Sequence, residues 1–393
     1  MRKAYVLGIN YYIGLSVLRC LGREGVPTVA CDYDTNAYGW KSKYASEKLL
    51  VPDYKVDSRG LLDALLSAAA KEKEKPVLFP CHDNYVQFMD MYFDELKEYF
   101  LFPQTIKGLG SRCSDKKELA KLAQQHGVLQ PPSLDIAEEN LAAKVASQLM
   151  YPCIIKPDNS PAFVARFRSK VFLISDETEL KSAVKKITEA GLTAQVQKII
   201  KGFDDHMYTY DVYVNQAGQV SHMMTGQKKR QWPINFGAST FIVQKYVPKL
   251  HEIGAPFLKD IGWRGFAEIE FKREEGTDDF YLIEINTRTT NFNSMIAACG
   301  INMPYVAYRD LCGEALPKQY IEEDLNEAFR YRYEDIFAKR AYRRRGQLNR
   351  KEMREQERGY HVTEALFARD DIKPWLNFWS GKAKRLLTRW YKK

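Results

Sequence analysis

The 393-residue sequence predicts an α/β and α+β protein: an open parallel α/β unit first, a β-rich body next, and a basic helical extension at the C-terminus. Three observations carry this. Short apolar runs alternate with helical spacing over the first 110 residues or so, β-branched and aromatic runs dominate from Cys153 to Ile285, and basic residues gather at the end of the chain.

Residues 4–8 read as a buried strand, 15–24 as a helix and 28–31 as a second strand ending at Asp32, a βαβ opening. A further strand at 76–79 runs into Pro80-Cys81-His82-Asp83, and ligands favour the carboxyl ends of such strands. Residues 115–125 have helical spacing and stop at Gly127, and Pro131-Pro132 breaks the chain before a second helix at 138–149. Strands are expected at 153–156, 170–174, 194–199, 206–214, 265–272 and 280–285, with helices at 177–189 and 247–261. Asn215 to Gly218 reads as a hairpin connection into 220–225.

Length exceeds one ordinary core, so several domains are expected. Hydrophobic residues at 45% and charged residues at 28% fit a globular chain rather than a disordered one. From Tyr331 to Lys393 there are 18 basic against 8 acidic residues, while the rest holds 41 and 42. The cationic excess is therefore local, which argues for an anionic partner of the tail and against nucleic acid as partner of the body. Seven cysteines without a Cys-x-x-Cys pair disfavour zinc and disulfide frameworks. The apolar stretch after Met1-Arg2-Lys3 is too short for a signal peptide or a span, so the cytoplasm is the expected compartment.

Phe266-Ala-Glu268-Ile-Glu270-Phe271 alternates apolar and acidic residues, which puts Glu268 and Glu270 on one strand face. Tyr281-Leu-Ile-Glu284-Ile-Asn286 does the same for Glu284 and Asn286. Paired antiparallel, these strands could gather Glu270, Glu284 and Asn286 around magnesium, which takes carboxylate, amide and phosphate oxygens. An ordinary half-exposed hairpin is the alternative for either strand alone. Lys156, after the apolar Cys-Ile-Ile, ends a buried strand, a costly place for an ammonium unless it meets an anion.

These segments resemble the ATP-grasp superfamily, in particular carboxylate-amine ligases similar to D-aspartate ligases of bacterial cell envelopes. The resemblance covers about residues 1–315 and implies an ATP-grasp fold with a Rossmann-like pre-ATP-grasp domain at 1–112, a central subdomain at 113–202, a metal-bearing subdomain at 203–318 and an extension at 319–393. It implies ATP with Mg²⁺ or Mn²⁺, and ADP-forming ligation of a carboxylate to an amine through an acyl phosphate. Lys116 and Lys156 resemble the nucleotide lysines. Gln197, Lys198, Ile200 and Asp204 fall in the segment that holds adenine and ribose. Arg288, and less directly Arg230, are the catalytic candidates, because a planar guanidinium suits a phosphoryl group. Asn10, His82 and Asp83 are candidate substrate contacts at the first loop and the end of the fourth strand. The sequence departs from the family at Asp158 to Lys170, where a glycine-rich phosphate loop is expected and no glycine occurs; Ser160, Arg166 and Arg168 are its substitutes.

Towards the end, Trp375, Phe378, Trp379, Leu386, Leu387 and Trp390 share a helix side among lysines and arginines. Such a helix settles on an anionic membrane surface or packs its stripe on the body, and both readings stand at this point. A nucleotide-binding scaffold without turnover, and a ligase acting on a small metabolite, are the alternatives to an envelope-directed ligase. Relatives imply a homodimer.

Overall fold

The computed structural model describes residues 1–390, apart from the side chains at 160, 161 and 385–390. Strands β1 (Ala4–Leu7), β2 (Thr28–Asp32), β3 (Glu47–Leu50) and β4 (Val77–Pro80) form a parallel sheet in the order β3-β2-β1-β4. Continuous apolar runs make β1 and β4 wholly buried, as a sheet covered on both faces requires. Edge strand β3 was not expected from the sequence, because its Glu-Lys-Leu-Leu is largely exposed and lacks a core pattern. The helix Tyr12–Arg23 begins three residues before the expected start and buries Tyr12 to Leu21.

A second, antiparallel sheet holds β5 (Ser133–Asp135), β6 (Cys153–Pro157), β7 (Phe172–Ile174) and β8 (Ala194–Lys198) in the order β5-β8-β6-β7. The glycine-free stretch after Lys156 is not an open loop: residues 160–167 form a short helix capped by Asn159, whose Oδ1 accepts from the Ala162 amide at 3.0 Å. The helix expected at 138–149 is a short turn, Leu141–Lys144, continued by a wider π turn, Val145–Leu149.

The largest sheet contains β9 (Met207–Val214), β10 (Val220–Trp232), β11 (Ala238–Gln244), β12 (Gly265–Arg273), β13 (Phe280–Asn286), β14 (Gln319–Tyr320), β15 (Glu327–Arg330) and β16 (His361–Glu364). Its order is β13-β12-β9-β10-β11-β15-β16, with β14 beside β10. The front face meets the N-terminal unit, where Met224, Ile242 and Phe266 share a core with Tyr12, Phe79 and Phe292. On the back, Tyr210, Ile269 and Phe271 pack with Leu250 and Phe257 of the helix Pro248–Asp260.

The extension is not purely helical, since β15 and β16 complete the main sheet. Helix Lys373–Trp390 docks on the body: the Phe378 ring lies 5.7 Å from Tyr38 and 5.4 Å from Tyr333, and Trp375 lies 5.7 Å from Phe367. Just before it, buried Asp371 pairs with buried Arg19 at 3.0 Å and accepts from Ser42 Oγ at 2.7 Å. For Trp375, Phe378 and Trp379 packing on the body therefore replaces the membrane reading, while the side chains of Arg385, Leu386, Leu387, Arg389 and Trp390 lie outside the described residues. Among the described residues no helix is long and apolar enough to cross a membrane.

Candidate active site

Strand alternation decides what the front face carries. The register pairs Glu268 with Asn286 and Glu270 with Glu284 between β12 and β13, and Glu268 with Asp211 and Glu270 with Thr209 between β12 and β9. Side chains directly opposite in register share a face. Glu270 meets Lys228 of β10 at 2.5 Å. Lys116, first residue of the helix Lys116–Gln125, donates to the carbonyl of Pro157 in the second sheet, and both Lys116 and Lys156 feel the charge of Glu284. The two lysines and the two glutamates named from sequence are thus brought to one cleft between two sheets.

Arg288, on the turn after β13, is nearly buried. Its Nε reaches Asp83 Oδ1 at 2.9 Å and its Nη2 donates to Asn286 Oδ1 at 3.0 Å. Asp83 follows His82 at the end of β4, and His82 Nε2 lies 3.2 Å from Asn10 Oδ1. The Asn10 amide in turn donates to Asp32 at 2.8 Å. This closeness requires a residue without a side chain at Gly8 (φ +91°), where a Cβ would fall 2.4 Å from the His82 ring. The three candidate substrate residues therefore stand together on the N-terminal unit, tied to Arg288 through Asp83.

Burial and crowding set the electrostatics. Removal from water, together with neighbouring carboxylates, pushes Glu268 and Glu270 up to about 7 and Asp211 up to about 6. Burial lowers Lys156 to about 8, and lowers Lys116. Burial alone would lower Lys228 as well, but Glu270 and Glu284 beside it hold its ammonium above the usual range. Burial and the nearby Arg288 charge bring His82 down to about 4, so it is neutral at physiological pH.

One observation tests whether a cation fits. Asp211 Oδ1 and Glu268 Oε1 are buried with no hydrogen-bond partner among the described residues. Their other oxygens are used, by Thr209 at 2.9 Å and Thr290 at 3.1 Å. Buried carboxylate oxygens without donors are costly, and a divalent ion relieves that cost. Among the described residues no three His, Cys, Asp or Glu side chains close a complete ligand set.

Two candidates lie elsewhere. A bulge at Lys229 turns Arg230 to the back face, away from Lys228. There its guanidinium binds Asp335 at 2.7 and 3.0 Å and Glu357 at 2.7 Å, over the Phe241 ring at 4.4 Å. A wholly buried cation spent on two carboxylates is not available to a phosphoryl group, so its catalytic assignment is withdrawn. Asp204 is buried too: it accepts from the Tyr342 hydroxyl and from the Asn235 amide at 3.2 Å, which removes it from ribose recognition. Gln197 and Lys198 end β8 and Ile200 is buried just beyond, at the connection between the second and main sheets. The Ser160 side chain lies outside the described residues. Sequence reasoning missed Lys228, which stands in a run of three cations with Lys229 and Arg230, and Asp211, whose acid in an apolar alternating strand was the available signal.

A profile of the carbamoyl-phosphate synthase L chain ATP-binding domain matches residues 115–319, just over half of the chain. D-aspartate ligase of Enterococcus faecium is 26% identical over 242 residues, 59% of this chain and 58% of that protein. Biotin carboxylase 2 of Bacillus subtilis is 22% identical over 290 residues, 70% of this chain and 63% of that one. The chain thus spans less than two thirds of the length of either relative. Among solved structures, the biotin carboxylase of Campylobacter jejuni in its β,γ-ATP complex has TM-score 0.63 at 19% identity, covering 81% of this chain and 72% of that one. An L-amino acid ligase from Bacillus licheniformis has TM-score 0.58 at 15% identity, covering 79% and 74%. The two-sheet cleft and the profile agree, and the chain belongs to the ATP-grasp family, by the profile of the carbamoyl-phosphate synthase L chain ATP-binding domain.

Proposed function

We propose that the protein is an ATP-dependent, ADP-forming carbon-nitrogen ligase that activates a carboxylate as an acyl phosphate and passes it to an amine. The observation that carries this reading is the front-face cluster of Glu270, Glu284 and Asn286 facing Lys116 and Lys156 across the cleft, beside Asp211 and Glu268, each of which has one carboxylate oxygen without a donor among the described residues. Glu270, Glu284 and Asn286 are the residues that would hold Mg²⁺, and Mn²⁺ suits the same oxygens. When bound, the ion supplies charge neutralisation at the phosphates.

The chain's own residues do the rest by placement. Lys116 and Lys156 orient the phosphates, and Arg288, held by Asp83 and Asn286, presents its fork to the group in transfer. A substrate carboxylate oxygen attacks the γ-phosphorus, the bond from that phosphorus to the β,γ-bridging oxygen breaks, and ADP leaves. The amine nitrogen then attacks the acyl carbon, inorganic phosphate departs and the nitrogen releases its proton. No protein nucleophile takes part. The names of the relatives favour an amino acid as one substrate.

The test is ADP release with Mg·ATP and a panel of D- and L-amino acids, amines and cell-envelope precursors, with the adduct weighed by mass spectrometry. Substrate-dependent ADP formation that Glu284→Gln abolishes is expected. Nucleotide binding without turnover on any mixture would favour a scaffold. The extension's exposed arginines, Arg340, Arg344 and Arg345, offer an anionic membrane a contact. Flotation with anionic liposomes that is lost when all three become glutamine is the expected sign of that attachment.

A further inference from the structure

Between the buried ion cluster and the tip of the β10-β11 hairpin lie two polar side chains that no step above uses. Gln231 and Ser239 are 3% and 2% exposed, are Cα partners across the two strands, and leave Gln231 Nε2 and Ser239 Oγ without a hydrogen-bond partner among the described residues. Buried polar atoms of this kind are nearly always satisfied, so a pair facing each other in register calls for something to satisfy them.

Their direction follows from their neighbours. Arg230 points to the back face, where Asp335 holds it, and Trp232 does the same, its ring 5.9 Å from Phe337 of the helix Arg332–Arg344. Gln231 stands between them and alternates to the front. On β11 the register skips Thr240, which donates to the same Asp335 at 3.1 Å, and Ser239, the Cα partner of Gln231, shares its face. The front is the face on which Lys228 meets Glu270, and on which Gly226 approaches Thr209 and Ile242. Gln231 is three residues along the strand from Lys228, roughly 10 Å at the usual strand rise. It therefore lies on the β10-β11 side of the ion cluster, whereas Glu284 and the two nucleotide lysines lie on the β13 side.

We propose that Gln231 and Ser239 form a carboxylate-recognition subsite that holds the non-reacting end of the substrate. An amide N–H and a hydroxyl, two neutral donors in register, match an acceptor-only group with two oxygens. The reacting end of the same molecule then reaches the phosphoryl group near Lys228. The proposal rests on the ligase reading and narrows its substrate to a small acid carrying a second carboxylate or an amino-acid carboxylate.

The test uses the full chain loaded with MgADP and, as probes, D-aspartate, L-aspartate and succinate, followed by saturation-transfer NMR and calorimetry. At least one probe is expected to bind the native protein. The double variant Gln231→Leu, Ser239→Ala should weaken it tenfold or more, and Gln231→Glu, of nearly unchanged volume, should weaken it at least as far by charge repulsion. MgADP affinity and melting temperature should stay within twofold and a few degrees. In turnover the loss should appear in KM for the acid rather than in KM for ATP. Equal probe binding by native and double-variant protein, or no probe binding to the MgADP-loaded native protein, would overturn the subsite. A native protein that takes up no MgADP would instead overturn the ligase reading beneath it.

Discussion

The main sheet carries a buried ionic cluster on each face, and the two are built to opposite ends. On the back, Arg230 and Lys339 meet Asp335 and Glu357, every charge has an opposite within salt-bridge distance, and the helices Arg332–Arg344 and Arg350–Glu357 cover it. On the front, buried Asp211, Glu268 and Glu270, with exposed Glu284 at their rim, have Lys228 of the same sheet and Arg288 of the turn after β13 beside them, and two carboxylate oxygens lack donors among the described residues. A closed cluster fixes structure; an open one stores a demand for a cation. The same strand feeds both, through the single extra residue at Lys229.

That contrast can be broken most severely on the closed side. Arg230→Met leaves buried Asp335 with Lys339 as its remaining cation and should cost about 3–5 kcal/mol of stability, seen in denaturant unfolding. MgADP affinity of the molecules that remain folded should hardly change. If affinity fell in proportion to stability, the two faces would not be independent.

On the open side, Arg288→Ala should lower kcat/KM by about two to three orders of magnitude, the size of losing one preorganised donor at a developing charge, with far-UV circular dichroism unchanged. A loss confined to stability would make Arg288 a strut between Asp83 and Asn286 rather than a catalytic group.

The open cluster should also respond to pH. Glu268 and Glu270 stand near 7 in the folded chain against an ordinary 4.5, so between those values the folded state binds more protons than the unfolded one. Stability of the nucleotide-free protein should therefore fall as pH rises through that window. Binding of MgADP, which needs the charged carboxylates, should tighten over pH 6 to 8. Thermal shift with and without MgADP checks both signs, and a nucleotide-free melting temperature that rises over that window would contradict them.

The smallest effect comes from a neighbouring pair. Asp371 is buried against Arg19, whereas Asp370 meets Arg23 at 2.9 Å with both partly exposed. Asp370→Asn should cost about 0.2–1 kcal/mol, far less than Asp371→Asn, and the ratio measures how firmly the extension is locked to the N-terminal unit.

What the sequence disclosed follows from what is local. Alternation placed Glu268, Glu270, Glu284 and Asn286 on shared faces, and the apolar run before Lys156 marked a buried strand end; both are properties of a few consecutive residues. The fates of Arg230 and Asp204 were not local. One depends on a bulge that reverses a face, the other on Tyr342, 138 residues away. Lys228 was hidden by its neighbours, since three basic residues in a row look solvated until the strand pairing sends two of them to opposite faces. The tail's aromatics matched a membrane helix in pattern, and only Tyr38 and Tyr333 reveal what they cover.

The central claim is that the front face grips a nucleotide through a divalent ion held between β12 and β13. Calorimetry of ADP with and without Mg²⁺, on the native chain and on Glu284→Gln, tests it directly. Magnesium should strengthen ADP binding tenfold or more in the native protein and hardly at all in the variant, while the magnesium-free affinities stay alike. An undiminished magnesium effect in Glu284→Gln would contradict the account.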